Sequence, residues 1–282
     1  MQNISDATRT ALIDAVRSAA RAEIVPRFRS LPPDSIKAKS APDDLVTEAD
    51  TRTELRLTNA IQEILPEAQI LGEEAEAEDP SIMGRVAEPG LCAIIDPVDG
   101  TWNFASGLSI FGSILAVTND GETVFGLLYD PLLDDWIMAT RGGGAWYCRP
   151  GAAPQPISTA PATTLPEMTG FLGLHLFPKP HQAEIAQGFP NFRRILSLRC
   201  SCHEYRTLAT GRVDFNMNGM LKPWDHAAGA LVIEEAGGVA KMLDGRPYKP
   251  VITEGHMLTA SCEETWQQVQ TYMSARLPIP GI

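Results

Sequence analysis

Asp96-Pro97-Val98-Asp99-Gly100-Thr101-Trp102-Asn103-Phe104 follows directly on the apolar run Leu91-Cys92-Ala93-Ile94-Ile95. That run is too short for a helix and reads as a buried strand. Its end delivers Asp96 and Asp99, on a proline-stiffened turn, into one small volume. Two carboxylates that close repel each other unless a cation lies between them or one takes up a proton. Oxygen-only ligands favour a hard ion such as Mg²⁺. Gly100 lets the backbone approach a bound group, with Thr101 beside it. A strand, an acidic turn and a Gly-Thr step are parts of a metal-dependent phosphate site. Taken alone, the segment also fits a polar surface loop.

The 282 residues suffice for one large domain or two smaller ones. A net charge of -12 disfavours nucleic-acid polymers and anionic membranes as partners. A phosphate ester would need a local positive focus, which cations held by carboxylates would supply. Cys92, Cys148, Cys200, Cys202 and Cys262 are odd in number and widely spread, unlike a disulfide framework. A reducing cytosol fits them best. The start of the chain lacks a basic region followed by an apolar core, and no run approaches the roughly 18 apolar residues of a spanning helix. These features predict a cytoplasmic protein without a membrane partner.

Residues 5–28 carry Leu12, Val16, Ala19, Ala20 and Ile24 at helical spacing, and Pro32 and Pro33 follow. Thr47 and Asp50 have the spacing of a capping box, with Leu55, Ile61 and Ile64 supporting the helix behind them. Ile70-Leu71-Gly72 reads as a short strand feeding Glu73-Glu74. Strands are expected at 111–117, 123–129 and 136–139, separated by Asn119-Asp120-Gly121 and Asp130-Pro131. Gly142-Gly143-Gly144 reads as a hairpin turn before a strand at Ala145-Trp146-Tyr147, because phosphate cradles put their glycines before a helix. The Pro-rich stretch 149–167 is the best domain boundary, giving halves 1–150 and 151–282. Beyond it strands and helices alternate, and Trp224–Ala236 is a helix closed by Gly237-Gly238.

Four acidic clusters lie at element junctions: Asp44 to Asp50, Glu73-Glu74, Asp96 with Asp99, and Asp225. Their apolar flanks (Ile70-Leu71, Ile94-Ile95, Trp224) argue for paired or metal-ligating acids. In that order stand Asp44-Leu45-Val46-Thr47-Glu48-Ala49-Asp50, Gly72-Glu73-Glu74, the Asp96–Phe104 stretch, Trp224-Asp225-His226-Ala227-Ala228-Gly229 and Glu235-Ala236-Gly237-Gly238. Together they resemble the inositol monophosphatase family of Mg²⁺-dependent, lithium-sensitive phosphatases, over roughly residues 37–240.

The resemblance implies an α+β or α/β fold, a layered α-β-α-β-α sandwich of the sugar-phosphatase type with an antiparallel sheet first and a smaller sheet after the Pro-rich link. It implies a homodimer and two Mg²⁺ ions, with a third more weakly bound. Most metal ligands would come from the first half, and Asp225 and the substrate-reading residues from the second. Glu73, Asp96 and the Val98 carbonyl would hold the first ion. Asp96, Asp99 and Asp225 would hold the second, with Asp96 bridging. Thr101 with Asp50 would orient and deprotonate the attacking water. The Gly100 and Thr101 backbone would bind the phosphate, with Lys39 near it and Lys37 as a rival. Glu74 would stand behind the ligands.

Two departures fall in the substrate-reading region. The family glutamate seven residues before the Trp-Asp aspartate is Asn218 here, and the family's Gly-Ser/Thr-Ala step is Arg199-Cys200-Ser201-Cys202-His203. Asn218 still donates and accepts hydrogen bonds, so a polyol fits. Arg199 either pairs with a second anionic group or is structural. Cys200-Ser201-Cys202-His203 invites a zinc reading, but no second ligand pair follows, and a packed strand-to-helix junction is preferred. His226 either touches the substrate or is structural. Inositol 1-phosphate leads the expected substrates, with histidinol phosphate, fructose 1,6-bisphosphate and 3′-phosphoadenosine nucleotides as alternatives. A catalytically silent phosphometabolite-binding or interaction protein is the rival of another class.

Overall fold

The computed structural model describes residues 4–32, 35–39, 41–42 and 44–277. Pro33 and the leading Met1-Gln2-Asn3 lie outside them. Helix α1 (Asp6–Ala19) runs on through a π-turn and a 3₁₀ turn to Arg27. A hairpin of β1 (Ile36–Ala38) and β2 (Leu45–Thr47) precedes α2 (Glu48–Ile64). Then come β3 (Gln69–Gly72), α3 (Glu73–Glu78), β4 (Leu91–Asp99), α4 (Thr101–Ala105), β5 (Gly112–Asn119), β6 (Glu122–Asp130), β7 (Asp135–Thr140), β8 (Ala145–Cys148) and β9 (Gln155–Pro156). The second half holds β10 (Thr169–Leu172), α5 (Lys179–Gln187), β11 (Arg194–Leu196), α6 (Ser201–Ala209), β12 (Phe215–Asn218), α7 (Pro223–Glu235), β13 (Val239–Met242), β14 (Met257–Ala260) and α8 (Glu263–Ser274).

Strands β3 to β9 form a seven-stranded sheet in sequence order. It is antiparallel except that β3 lies parallel to β4, so the first sheet is mixed and not wholly antiparallel as expected. The second sheet has the order β11-β10-β12-β14-β13. Helices α1 and α2 cover one face of the first sheet, burying Leu12, Val16, Leu57 and Ile61 against Ile95, Leu115 and Leu127. Helices α6 and α7 lie between the two sheets. Helix α8 covers the far face of the second sheet, with Trp266 and Val269 against Phe215 and Leu258. The layers are therefore α-β-α-β-α.

Helix α7 is buried on nearly every side, which follows from its place between sheets. Its small residues Ala227-Ala228-Gly229-Ala230 allow close approach. A side chain at Gly126 of β6 would stand 2.8 Å from the Ala228 carbonyl oxygen. The helix ends in a Schellman motif, with Gly238 N–H on Ile233 O and Gly237 N–H on Glu234 O. The Glu235 carboxylate accepts from Gly142 and Gly144 N–H, which ties the glycine hairpin turn to α7. Leu55 is 64% exposed, so the buried stripe of α2 runs through Leu57 and Ile61 instead.

Asp134, in the β6–β7 turn, anchors that turn to α1. It accepts from Arg17 Nε at 2.9 Å, Arg21 Nη2 at 2.5 Å and Tyr129 Oη at 3.0 Å. The Arg17 hydrogen bond pulls its carboxyl down to about 2 from 3.8. A depressed carboxylate stabilises the fold above its ordinary value and loses that contribution as the pH falls toward 2. Asp134 has φ 51, a conformation asparagine tolerates. Asp134→Asn should therefore cost about 1 kcal/mol near neutrality, the upper end for a solvent-screened pair. Thermal melts of the two proteins should converge near pH 2. An unchanged gap there would show that the loss is not ionic.

Candidate metal centre and catalytic pair

Strand β4 does not turn at Pro97. Its register against β5 shifts between Asp96, opposite Ile114, and Asp99, opposite Gly112. Proline has no N–H to donate, so the ladder breaks there, and Ser113 Oγ donates to the freed Pro97 carbonyl at 2.7 Å. In an unbroken strand Asp96 and Asp99 would face opposite sides. The bulge re-aims them. Asp225, in the first turn of α7, completes the group: one carboxylate oxygen from each of Asp96, Asp99 and Asp225 lies within 4.8 Å of the other two.

Glu73 arrives from the neighbouring strand. β3 pairs with β4 so that Gly72 lies beside Ile95, and α3 opens at Glu73. Glu54 of α2 accepts from Glu74 N–H and Ala75 N–H at 2.8 Å each, which fixes that opening. A side chain at Gly72 would meet the Glu54 carboxylate at 2.4 Å and push it off the amides that it caps. Lys39 Nζ donates to Glu73 Oε1 at 2.8 Å and Glu74 Oε1 at 2.7 Å. Burial disfavours its charge, but the two glutamates outweigh that and hold the ammonium above its usual range. Lys37 is exposed on β1.

Asp50 sits at the third position of α2, closing a capping box with Thr47. Its Oδ2 accepts from Thr47 N–H at 2.8 Å and Thr47 Oγ1 at 2.6 Å. Its Oδ1 is left facing Thr101 Oγ1 at 3.1 Å. Thr101 Oγ1 also lies 2.9 Å from Val98 O. Gly100 precedes it at φ +85, and a side chain there would meet Ile110 O at 3.0 Å and Cys200 Cβ at 3.2 Å. Burial pushes the Asp50 carboxyl up to about 6.

The carboxylates cannot all be ionised together at low cost. Burial, then the charges of Glu73, Asp99 and Asp225, raise the Asp96 carboxyl well above the carboxylate range. Burial and the charges of Asp99 and Glu73 do the same to Asp225. Asp96 Oδ1 is buried without a hydrogen-bond partner, a costly arrangement unless the oxygen ligates something. Converging all-oxygen donors and an orphaned buried carboxylate oxygen fit a hard divalent cation. Asp99 is also tied to α6: it accepts from Cys202 N–H at 2.5 Å, Ser201 N–H at 3.1 Å and Cys200 Sγ at 3.1 Å. Against these bonds, burial still raises it to about 6.

One cavity of about 1000 Å³ gathers the residues singled out from sequence for the site except Asp50, Glu74 and Lys37; Asp50 stands behind Thr101. Arg199, Asn218 and His226 also line it. Asn218 Nδ2 donates to Asn216 Oδ1 at 3.2 Å. Both His226 nitrogens are taken internally. Nε2 donates to Met220 O at 2.8 Å, so Nδ1 accepts from Tyr205 Oη at 3.0 Å. Burial pushes that ring down to about 4. Cys200, Cys202 and His203 diverge: Cys200 Sγ is on Asp99, Cys202 Sγ on Tyr129 O at 3.7 Å and His203 Nε2 on Phe111 O at 3.0 Å.

Sequence reasoning missed Glu204, a buried acid that also lines the cavity. Its Oε1 accepts from Leu198 N–H at 2.8 Å. An acid within the small and aromatic face of α6 was the available signal. Asn103 was likewise passed over; its Nδ2 donates to Ile110 O and Leu198 O at 2.8 Å each.

The model of the inositol monophosphatase family matches residues 5–276. The chain is 30% identical over 246 residues to the inositol-1-monophosphatase of Bacillus subtilis, covering 86% of this chain and 88% of that one. It is 29% identical over 213 residues to the fructose-1,6-bisphosphatase/inositol-1-monophosphatase of Thermotoga maritima, covering 76% and 77%. The fold matches the crystal structure of the extragenic suppressor protein suhB from Bartonella henselae with a TM-score of 0.79 at 23% identity, over 98% of this chain and 100% of that one. The chain belongs to the inositol monophosphatase family.

Proposed function

We propose that this phosphoric monoester hydrolase uses Mg²⁺ to cleave a small phosphate monoester, with inositol 1-phosphate first among candidates. The observation that carries the reading is the Thr101–Asp50 hydrogen bond set beside a three-carboxylate group with an orphaned oxygen on Asp96. Glu73, Asp96 and the Val98 carbonyl would hold one ion, and Asp96, Asp99 and Asp225 a second. When bound, such ions make water a nucleophile at neutral pH and stabilise a leaving ester oxygen.

The chain's own groups do the rest. Asp50 is pinned through Oδ2, so its Oδ1 is free to take the Thr101 hydroxyl proton. Thr101 Oγ1 can then accept a proton from a water in the cavity, which turns the water's lone pair outward toward the phosphorus. Gly100 and Thr101, at the start of α4, offer backbone N–H groups to the phosphate, the favourable end of a helix for an anion. Lys39 holds Glu73 and Glu74 in place and supplies a positive charge beside the phosphate turn. In-line attack then needs mainly positioning and charge stabilisation.

Substrate identity, Li⁺ inhibition and a homodimer belong to the same reading and rest on the family resemblance; a cytoplasmic location rests on the widely spread, unpaired cysteines. The test is phosphate release from inositol phosphates, histidinol phosphate, sugar bisphosphates and phosphoadenosine compounds. Turnover should saturate with Mg²⁺, fall with Li⁺ and vanish in excess chelator. Full activity in chelator would overturn the metal assignment. No release from any of them with Mg²⁺ would favour a silent binding protein.

A further inference from the structure

Met220 is a large apolar side chain left 52% exposed, and it lies on the wall of the cavity that holds Asp96 and Thr101. Its backbone is fixed from several directions. His226 Nε2 donates to Met220 O at 2.8 Å. Nδ1 of the same ring accepts from Tyr205 Oη at 3.0 Å, which ties the loop after β12 to α6. Both rings are buried. Just before Met220, Gly219 fits so closely that a side chain there would stand 2.5 Å from Leu176 O. Just after it, Lys222 Nζ lies 3.4 Å from Glu76 Oε1 of α3, and Lys222 O accepts from Asp225 N–H at 3.2 Å.

A lone exposed methionine on an open surface needs no explanation. Met220 differs because it stands on a concave wall and its main chain is held in place. Asn218, two residues earlier on the same segment, lines the same cavity. A wall that sets one thioether beside one amide suits a molecule polar at its rim and apolar on its face. A cyclitol or sugar ring is such a molecule, with hydroxyls pointing outward and C–H groups forming a face. A short open-chain alcohol has no such face. His226 has both nitrogens engaged inside the protein, so its effect on a substrate passes through Met220.

We infer that Met220, on a loop that His226 pins to α6, packs against the carbon face of the substrate's alcohol, so the preferred ester is that of a ring alcohol and not of a short open chain. Met220 is the specificity-determining residue, and His226 and Tyr205 are positioning residues for it. The inference deepens the proposed phosphatase function and rests on it.

The experiment measures kcat and KM with Mg²⁺ for inositol 1-phosphate and for glycerol 2-phosphate, two monoesters with free hydroxyls of which only the first has a ring face. The wild-type protein should favour the ring ester in kcat/KM. Met220→Ala should lower that preference about 5–10-fold, chiefly through KM, the worth of covering roughly half a methionine side chain. His226→Phe should lower it by a similar factor, and His226→Gln, which keeps an N–H donor, should recover part of the loss. The Met220→Ala/His226→Phe double variant should lose no more than the larger single loss, because the histidine acts through the methionine. The Mg²⁺ concentration for half-saturation should not move. Should His226→Phe fail to fold, Tyr205→Phe carries the same test with a smaller shift in the same ratio. An unchanged ratio in Met220→Ala, with both esters cleaved, overturns the inference and leaves the phosphatase reading intact. Losses that multiply in the double variant, or a weakened Mg²⁺ dependence in the His226 variants, overturn the positioning role by assigning the histidine to Asp225 beside it. No phosphate release from either ester overturns the phosphatase reading as well.

Discussion

Asp96→Asn is expected to abolish phosphatase turnover while leaving the protein folded. Asp96 sits at the centre of the acidic group, within 4.8 Å of an oxygen of both Asp99 and Asp225. Its carboxyl feels the charges of Glu73, Asp99, Asp225 and Asp50. The asparagine side chain has the same shape, so no cavity or clash is created in β4. It loses one charge and turns one ligand oxygen into an amide nitrogen that cannot bind a cation. Because Asp96 would bridge both ions, the loss reaches both sites together. The rate should fall on the order of 10³-fold or more, as when one member of a cooperating catalytic set is removed. In chelator the melting temperature should rise, because a buried like charge has been removed from its neighbours. The paired measurement is informative. Lower activity with a raised melting point assigns Asp96 to function at the expense of stability. Lower activity with a lower melting point would mean that the substitution damaged the fold. Near-normal turnover would remove Asp96 from the mechanism.

The acids of the centre were legible because each borders an apolar run, and runs can be read locally. Leu91 to Ile95 gave β4, Ile70-Leu71 gave β3 and the Thr47–Asp50 spacing gave the start of α2. The meeting of Asp225 with Asp96 is not local. It depends on α7 crossing β6 closely enough for Gly126 to face Ala228, and no periodicity in either segment reveals that pairing. Only the family resemblance supplied it. Pro97 read as a turn because proline usually ends a ladder. Ser113 repairs the break by donating to its carbonyl, so the strand continues as a bulge. Leu55 read as core because it is apolar, yet it lies off the helical stripe that Leu57 and Ile61 share as an i, i+4 pair. β13 and β14 went unread because their alternation is short, and their partners lie many residues away in sequence. Glu204 escaped notice for a chemical reason: its partner is the backbone N–H of Leu198, and backbone partners leave no mark on a sequence.

Thr101→Val and Asp50→Asn, made singly and together, test whether the two act as one unit. Valine keeps the shape of threonine and removes only the hydroxyl that faces Asp50 Oδ1 and Val98 O. Asparagine at position 50 can keep the capping box, because its oxygen still accepts from Thr47 N–H. Its amide then faces Thr101 and donates where the carboxylate accepted. The threonine proton is driven onto the Val98 carbonyl, and the route for a proton off the water is closed. Each single variant should lose about 10²–10⁴-fold in kcat, the usual range for positioned acid–base groups, with KM little moved. The double variant should be no slower than the slower single one, because once either partner is gone the other has nothing to relay. Thr101→Ser keeps the hydroxyl and should keep most of the activity. The readout is single-turnover phosphate release with saturating Mg²⁺, which isolates the chemical step. If the two losses multiply in the double variant, Thr101 and Asp50 act independently, and the hydrogen bond between them is only the end of a helix cap.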